Sequence, residues 1–374
     1  MRKIIFVMCV SLVSLFIPYT VLAKVLGACS NCHTMHNSWG GQPIDSDGPN
    51  EALLIGGSDP CVGCHSNTED GETIKTIGET KIPIVLNTNV EPTKPLAGGN
   101  FYWMLKNDDD TLGHNVWAID GIEQDDYLTT APGAPASGGS CAICHDRVEY
   151  CYSCHTPQHH KEDHPNGSYN NVVGIGETEG CYYRFLGCLS TNERQGKGLP
   201  VFHISPAVKG IEEKNWEQNP SSTVHNEYAG QTSKPSIGDS YQSISDFCAG
   251  CHRDFYHSSF YDPLGGGSSP WHRHPVDTMF SEAAGEEYIY NTPNGTDFGP
   301  YNPLAPIARA NIDNYNGVGA SSIVTEDDQV QCLSCHRPHG SPYPDILRWD
   351  YATCQAGTEN SDCGCFVCHT KKDE

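Results

Sequence analysis

Apolar positions are unevenly distributed along the 374-residue chain. A basic start, Met1-Arg2-Lys3, is followed by an almost wholly apolar run from Ile4 to Val21 and then by Leu22-Ala23. This order is typical of a secretory signal peptide, which we place at residues 1–23. An uncleaved membrane anchor is the alternative, because the apolar run approaches a spanning length. No later segment is apolar enough to cross a bilayer, so we expect a soluble mature protein, extracellular or at the cell surface, that passes through the periplasm.

Beyond the leader, the pattern predicts little regular structure. Short alternating runs such as Lys81 to Val90 favour strands, and no amphipathic stretch supports a helix of more than about three turns. The segments between Cys61 and Cys141, Cys151 and Cys248, and Cys251 and Cys332 are rich in Gly, Pro, Asn, Ser and Thr, as loops are. We therefore expect one domain over residues 24–374, mostly coil with short helices and a few short strands.

The aliphatic content is too low for an ordinary hydrophobic core. After residue 23, Leu, Ile, Val and Phe make up 59 of 351 residues, and the whole chain has a net charge of −24. Such a composition is typical of disordered chains. The chain also lacks a basic run, which argues against nucleic-acid binding, and its acidic charge opposes binding to anionic membranes. If the chain folds, something other than aliphatic side chains must supply its interior.

The spacing of the 19 cysteines indicates what that interior is. The pattern Cys-x-x-Cys-His occurs seven times, and it is the attachment pattern of c-type haem. Two thiols three residues apart can form thioethers to the two vinyl groups of one porphyrin, and the following histidine can ligate its iron. A zinc site would need two such pairs per metal without a systematic histidine, and a redox dithiol would occur once.

We therefore predict a multihaem cytochrome c whose chain wraps around seven c-type haems. The attachment cysteines are Cys29 and Cys32, Cys61 and Cys64, Cys141 and Cys144, Cys151 and Cys154, Cys248 and Cys251, Cys332 and Cys335, and Cys365 and Cys368. The proximal iron ligands are His33, His65, His145, His155, His252, His336 and His369.

Four further cysteines remain after the leader: Cys181, Cys188, Cys354 and Cys363. An even remainder in an oxidising compartment suggests disulfides, and the local pairings are Cys181 with Cys188 and Cys354 with Cys363. Cys363 also competes with Cys365 as the first thiol of the last motif. We favour Cys365, because it keeps the standard spacing to Cys368.

The supply of histidine suggests a second imidazole for every iron. Methionine, the other common distal ligand, is scarce after the leader, where only Met35, Met104 and Met279 occur. Seven bis-His haems of low potential are therefore the economical interpretation. A bis-His iron has no open position for a substrate, so we predict an electron-transfer protein and not an enzyme. The distal candidates are His36, His114, His159, His160, His257, His274 and His339, with His164, His203, His225 and His272 as alternatives.

The position of His36 restricts what it can ligate. It follows His33 by three residues, a tether too short to reach the opposite face of the same haem. His36 must therefore ligate a different iron. The same reasoning applies to the other candidates that closely follow a motif histidine: His159, His160, His257 and His339.

Several stretches together give the chain a family resemblance. They are Cys29-Ser-Asn-Cys-His-Thr-Met-His-Asn-Ser, Gly113-His114-Asn115, Leu128-Thr-Thr-Ala-Pro-Gly133, Cys248-Ala-Gly-Cys-His-Arg-Asp-Phe-Tyr-His257, Arg273-His274-Pro275, Cys332-Leu-Ser-Cys-His-Arg-Pro-His339 and a final haem motif close to the C-terminus. On these motifs the chain resembles the filament-forming outer-surface multihaem cytochromes of metal-reducing bacteria, and it is most similar to their hexahaem type. The motif from Cys151 to His155 departs from that type and lies in what looks like an insertion.

The resemblance implies a conductive homopolymer with head-to-tail contacts, in which His36 ligates a haem of the adjacent subunit. It also implies upstream outer-membrane or periplasmic cytochromes as electron donors, and extracellular metal oxides or other compounds as acceptors. The extra haem either extends the haem chain or branches from it. Two other functions stay open at this point: a monomeric periplasmic or cell-surface electron shuttle, and a multihaem reductase with one open iron site.

If haem supplies the interior, the chain without haem should be disordered, as its composition indicates. Circular dichroism of the protein produced without haem attachment should show a coil spectrum and no cooperative thermal transition. The same chain with haem attached serves as the control and should melt cooperatively. A compact apoprotein that unfolds cooperatively would contradict this explanation of the composition.

Overall fold

The computed structural model describes most of the N-terminal third and the C-terminal fifty residues, with shorter pieces between them. The described residues are 25, 27–46, 48, 53–56, 60–122, 128, 131–133, 151–155, 157, 159–160, 172–173, 183–186, 208–231, 242–252, 255, 274–276, 278–282, 298–310, 312 and 320–370. Within these ranges, no helix combines the length and apolarity needed to span a membrane.

Several predictions concern residues outside these ranges. They are the signal peptide at 1–23, the third haem motif with Cys141, Cys144 and His145, the distal candidates His164, His203, His257 and His272, and the cysteines Cys181 and Cys188.

The helices are short, and most of them coincide with a Cys-x-x-Cys-His motif. The described residues contain α1 (Pro60–His65), α2 (Tyr102–Asn107), α3 (Ile244–Cys248), α4 (Cys332–Cys335) and α5 (Cys365–Cys368). Only α2 lies away from a motif. In the first and fourth motifs the corresponding turn is a 3-10 helix, Cys29–Asn31 and Cys151–Ser153.

Local side chains determine where two of these helices begin. The Ser243 hydroxyl accepts a hydrogen bond from the Asp246 amide and caps α3 at 3.1 Å. At α4, the Gln331 amide donates to the Ser334 hydroxyl at 3.0 Å, one half of a reciprocal capping arrangement. One capped helix therefore ends at the first cysteine of the fifth motif, and the other begins at the first cysteine of the sixth.

The strands are two to four residues long, and those of the largest sheet pair over long distances in sequence. They are β1 (Ser38–Trp39), β2 (Gln42–Pro43), β3 (Ser66–Asn67), β4 (Ile74–Ile77), β5 (Thr80–Pro83), β6 (Leu86–Asn87), β7 (Val172–Val173), β8 (Gly210–Ile211), β9 (Glu227–Ala229), β10 (Thr278–Met279), β11 (Ile307–Arg309) and β12 (Gln329–Val330). A six-stranded sheet has the order β10-β12-β11-β9-β8-β7, with β9 and β11 parallel and the other neighbours antiparallel. Three two-stranded pairs, β1-β2, β3-β6 and β4-β5, complete the set.

The predicted strands in the alternating run from Lys81 to Val90 are present only in part. β5 pairs antiparallel with β4 and ends at Pro83, which has no amide proton for further pairing. The chain then forms β6, which pairs parallel with β3 over only two residues. The prediction of mostly coil with short helices and a few short strands is confirmed.

Apolar side chains form several small clusters, and motif cysteines lie at their rims. One cluster contains Phe101 and Trp103 and has Cys151 packed against it. A second contains Tyr228 and has Cys248 packed against it. A third packs against Cys368, the second cysteine of the last motif. The described core is therefore divided among the sites where the sequence predicts haem attachment.

Candidate haem-binding sites

Each described motif closes one helical turn that brings its three reactive side chains together. The amide of the motif histidine donates to the carbonyl of the first cysteine at 2.8–3.1 Å in five motifs, at His33, His155, His252, His336 and His369. His65 ends α1, so the second motif is also helical. In such a turn, positions i, i+3 and i+4 lie on one side. Both thiols and the imidazole therefore face the same space, as haem attachment requires.

Backbone carbonyls orient the motif histidines. Four of them place Nδ1 at 2.8–3.0 Å from a carbonyl oxygen, in the pairs His65–Pro83, His155–Arg184, His252–Pro132 and His336–Asp345. An Nδ1–H donor at this oxygen leaves the lone pair on Nε2, the nitrogen available to a metal. Burial lowers the pKa of all four histidines, that of His252 to about 4. The imidazoles are thus neutral near pH 7.

Five motif histidines face a histidine from elsewhere in the chain. The ring centroids are 5.9–6.2 Å apart in the pairs His33–His160, His65–His159, His155–His339, His252–His114 and His369–His274. When two imidazoles bind the same metal ion from opposite sides, each at about 2 Å, their ring centroids lie about 6 Å apart. The observed spacing therefore fits an iron atom between each pair. Each pair contains one motif histidine and one distal candidate.

The adjacent residues His159 and His160 serve two different motifs. His160 faces His33 of the first motif, and His159 faces His65 of the second. The His159 carbonyl also accepts a hydrogen bond from the Val25 amide at 3.1 Å. This dipeptide therefore brings the first two motifs side by side.

His339 is held by a close approach of two backbone segments. Its amide donates to the Gly98 carbonyl at 2.7 Å, and Gly99 forms a parallel bridge with Gly340. Gly99 has a φ of +85°, and a Cβ atom there would collide with the Gly340 carbonyl. Burial lowers the pKa of His339 to about 3. A neutral imidazole is thereby fixed opposite His155.

The sixth motif differs from the other described ones, because His336 is not part of any of these five ring pairs. His36 is the remaining described candidate, and it lies on the surface. His36 and Asn37 have φ values of 57° and 60°, and the Ser38 amide closes the turn onto the Met35 carbonyl at 3.1 Å. This tight turn directs the chain back on itself. It leaves His36 exposed, and the His36 ring does not pair with the ring of nearby His33.

The last motif is next to a disulfide. The structure joins Cys354 and Cys363, and Cys363 is buried. The sulfur atoms of these two residues and Cys365 form the one cluster of metal-ligand type found in the part of the chain that is described. Because the disulfide occupies two of the three sulfurs, Cys365 is the thiol left to pair with Cys368 in haem attachment.

Two of the motif thiols are neutral in their surroundings. Burial raises the pKa of Cys335 and of Cys368 to about 12. Neutral thiols that lie next to a motif histidine suit covalent attachment to an apolar macrocycle.

Comparison with known proteins agrees with this chemistry. Residues 323–374, which hold the last two motifs, match the family model for a doubled CXXCH motif. The C-type cytochrome OmcS of Geobacter sulfurreducens is 27% identical, over 87% of this chain and 79% of that protein.

Two solved structures have the same fold. The Outer Membrane Cytochrome S filament from Geobacter sulfurreducens superposes with a TM-score of 0.57 at 23% identity, covering 91% of this chain and 88% of that one. The OmcS nanowires from the same organism give a TM-score of 0.55 at 22% identity and the same coverage. The predicted family resemblance is confirmed, and the comparisons support c-type haem binding by this chain.

The disulfide leads to a prediction about the last motif. Changing Cys365→Ser should remove one thioether from the haem held by Cys368, whereas Cys363→Ser should keep both thioethers because Cys363 is engaged with Cys354. Mass spectrometry of the C-terminal haem peptide would identify the attached cysteines. Attachment through Cys363 in the unaltered protein would contradict the assignment.

Proposed function

We propose that this OmcS-like cytochrome binds seven c-type haems, each between two histidines, and passes electrons along them. Bound haem supplies an iron that accepts and donates one electron. The five histidine pairs at 5.9–6.2 Å carry the proposal, since each combines a motif histidine with a histidine from another segment. With both axial positions filled by protein, no position is left for a substrate, which favours electron transfer over catalysis at the iron.

The attachment residues of the six described motifs lie near one another in series, as electron transfer along a row of haems requires. Cys32 lies beside Cys64, and His65 lies beside His155, which links the first, second and fourth motifs. Cys248 lies near both Cys154 and Cys332. Cys335 lies near Cys365 and Cys368, which brings the last two motifs together. The described motifs thus form one continuous series, and we assign the fourth motif to this series and not to a branch.

The haem count and ligation can be tested together. A pyridine haemochrome assay combined with the intact mass should give seven haems per chain, because all seven motifs have the standard spacing. Electron paramagnetic resonance of the oxidised protein should show low-spin ferric iron throughout. One high-spin haem in the native assembly would favour a reductase, and fewer than seven haems would contradict the count.

We further propose that the subunits polymerise head to tail, with His36 ligating the iron held by His336 of the next subunit. The likeness to two filament structures supports assembly of this kind. His36 is exposed. Among the described residues, His336 is not part of any of the five histidine ring pairs. On either side of His36, Met35 is 75% and Trp39 is 47% exposed, an apolar surface suited to contact with a second copy.

Such a contact joins two different surfaces and does not close on itself, so it extends into an open filament. In this proposal the filament is extracellular. It receives electrons from upstream outer-membrane or periplasmic cytochromes and delivers them to metal oxides or other external acceptors.

Changing His36→Ala should abolish filaments in electron microscopy of the secreted protein and convert one haem per subunit to high spin. Gln42→Ala, an exposed change on the same hairpin, is the matched control and should preserve both filaments and spectra. A native protein that is only monomeric, with unchanged spectra in His36→Ala, would favour the discrete electron shuttle and overturn the filament.

A further inference from the structure

Two of the motif histidines receive their orienting carbonyl from the same kind of backbone turn. The Nδ1 atom of His155 lies 3.0 Å from the Arg184 carbonyl, and that of His336 lies 2.9 Å from the Asp345 carbonyl. In both cases the carbonyl belongs to the first of two consecutive residues with positive φ. The leucine that follows the two residues forms an antiparallel bridge with the motif histidine. The fourth and sixth motifs are therefore supported in the same way.

The conformation of this turn is uncommon for residues other than glycine. Arg184 has a φ of 49° and a ψ of 32°, and Phe185 has a φ of 58°. L side chains are disfavoured in this left-handed region, and they persist there only where the surrounding structure holds them. The turn can keep its carbonyl on His155 only if other contacts fix Arg184.

Glu212 holds Arg184 at both its backbone and its side chain. The Arg184 amide donates to Glu212 Oε1 at 2.7 Å, and Arg184 Nη1 donates to Oε2 of the same carboxylate at 3.3 Å. Both are hydrogen bonds to a charged acceptor, which are stronger than those between neutral groups. The side chains of Arg184 and Glu212 are only 18% and 16% exposed, so water competes little for this contact. One carboxylate thus fixes both parts of the residue that orients His155.

Further contacts hold both residues of the turn. Arg184 Nη2 donates to the Glu213 carbonyl, and to Asn226 Oδ1 at 3.0 Å. The next residue, Phe185, packs its ring edge-on against the His159 ring, with centroids 5.5 Å apart. The turn is thereby anchored through the side chains of both of its residues with positive φ.

The corresponding turn in the sixth motif needs less support from other segments. Asp345 is exposed, and aspartate is one of the few residue types that enter the left-handed region through local hydrogen bonds of a short polar side chain. Arginine lacks that property. The turn at Arg184 therefore depends on contacts from elsewhere in the chain, and Glu212 is the residue that makes two of them.

We infer that Glu212 is a positioning residue for the haem of the fourth motif. The inference rests on the proposed function, in which His155 ligates the iron of that haem. Through Arg184, Glu212 keeps a carbonyl at His155 Nδ1, which fixes the orientation of the ring and makes Nε2 a stronger donor to iron. A stronger donor favours ferric over ferrous iron, so Glu212 lowers the midpoint potential of this haem.

The test compares two conservative variants of the haem-loaded protein by potentiometric titration and electron paramagnetic resonance. Glu212→Asp keeps the charge but shortens the side chain by one methylene, so it should not reach both the amide and the guanidinium of Arg184. The potential of one haem should rise, with a change of up to about tenfold in its reduction equilibrium, about 59 mV for a one-electron couple. One low-spin ferric signal should shift as well. Glu212→Gln keeps the length and an oxygen acceptor, and should stay close to the unaltered protein in both measurements.

Glu326→Asp makes the same change at an exposed glutamate and is the matched control, which should alter neither measurement. If Glu212→Asp does not fold, Arg184→Lys takes its place with the same expectation, because a single ammonium cannot make all the contacts of the guanidinium.

Unchanged potentials and spectra in Glu212→Asp, at full haem content, would overturn the inference. A shift in Glu212→Gln as large as that in Glu212→Asp, or larger, would also overturn it, because the carboxylate would then act through its charge and not through its position. A haemochrome count that lacks one haem in the unaltered protein would instead refute the proposed function.

Discussion

Pairing of imidazoles from distant segments is the constraint on which the rest of the structure depends. Each described pair joins a histidine fixed by its own motif turn to one from another part of the chain, as in His155 with His339. In the proposed bis-His ligation, a metal bond across such a pair would close a long loop, which ordinary aliphatic contacts in so polar a chain would do poorly. The short strands and small apolar clusters then need only hold the segments that carry the paired histidines in the right relative positions.

The surroundings of the paired rings suit this role. A carbonyl oxygen at Nδ1 fixes the tautomer of four motif histidines and of the distal candidate His114, whose partner is Pro338. Burial lowers the pKa of His114 and His339, so that no proton competes with a metal for their Nε2 atoms near neutral pH. The backbone therefore contributes to the sites alongside the ligand side chains, through the carbonyl group that every residue carries.

This explains how much could be predicted from the sequence. The motif turns follow from local spacing, and the candidate ligands follow from counting histidines. The pairings do not, because His114 opposite His252 depends on the path of the whole chain. The six-stranded sheet was not predicted either, since strands of two or three residues are too short to show an alternating pattern. His225 was counted among the alternative ligands, and only the structure places it beside Glu227.

The tight turn at His36 has a consequence for assembly. Two consecutive residues with positive φ cost the isolated subunit a little stability, on the order of 1 kcal/mol each. In return the backbone turn that presents the imidazole is already formed before a second copy arrives, and less backbone freedom is lost on contact. In the proposed filament, this preorganisation lowers the critical concentration for growth, so that subunits assemble from dilute solution outside the cell.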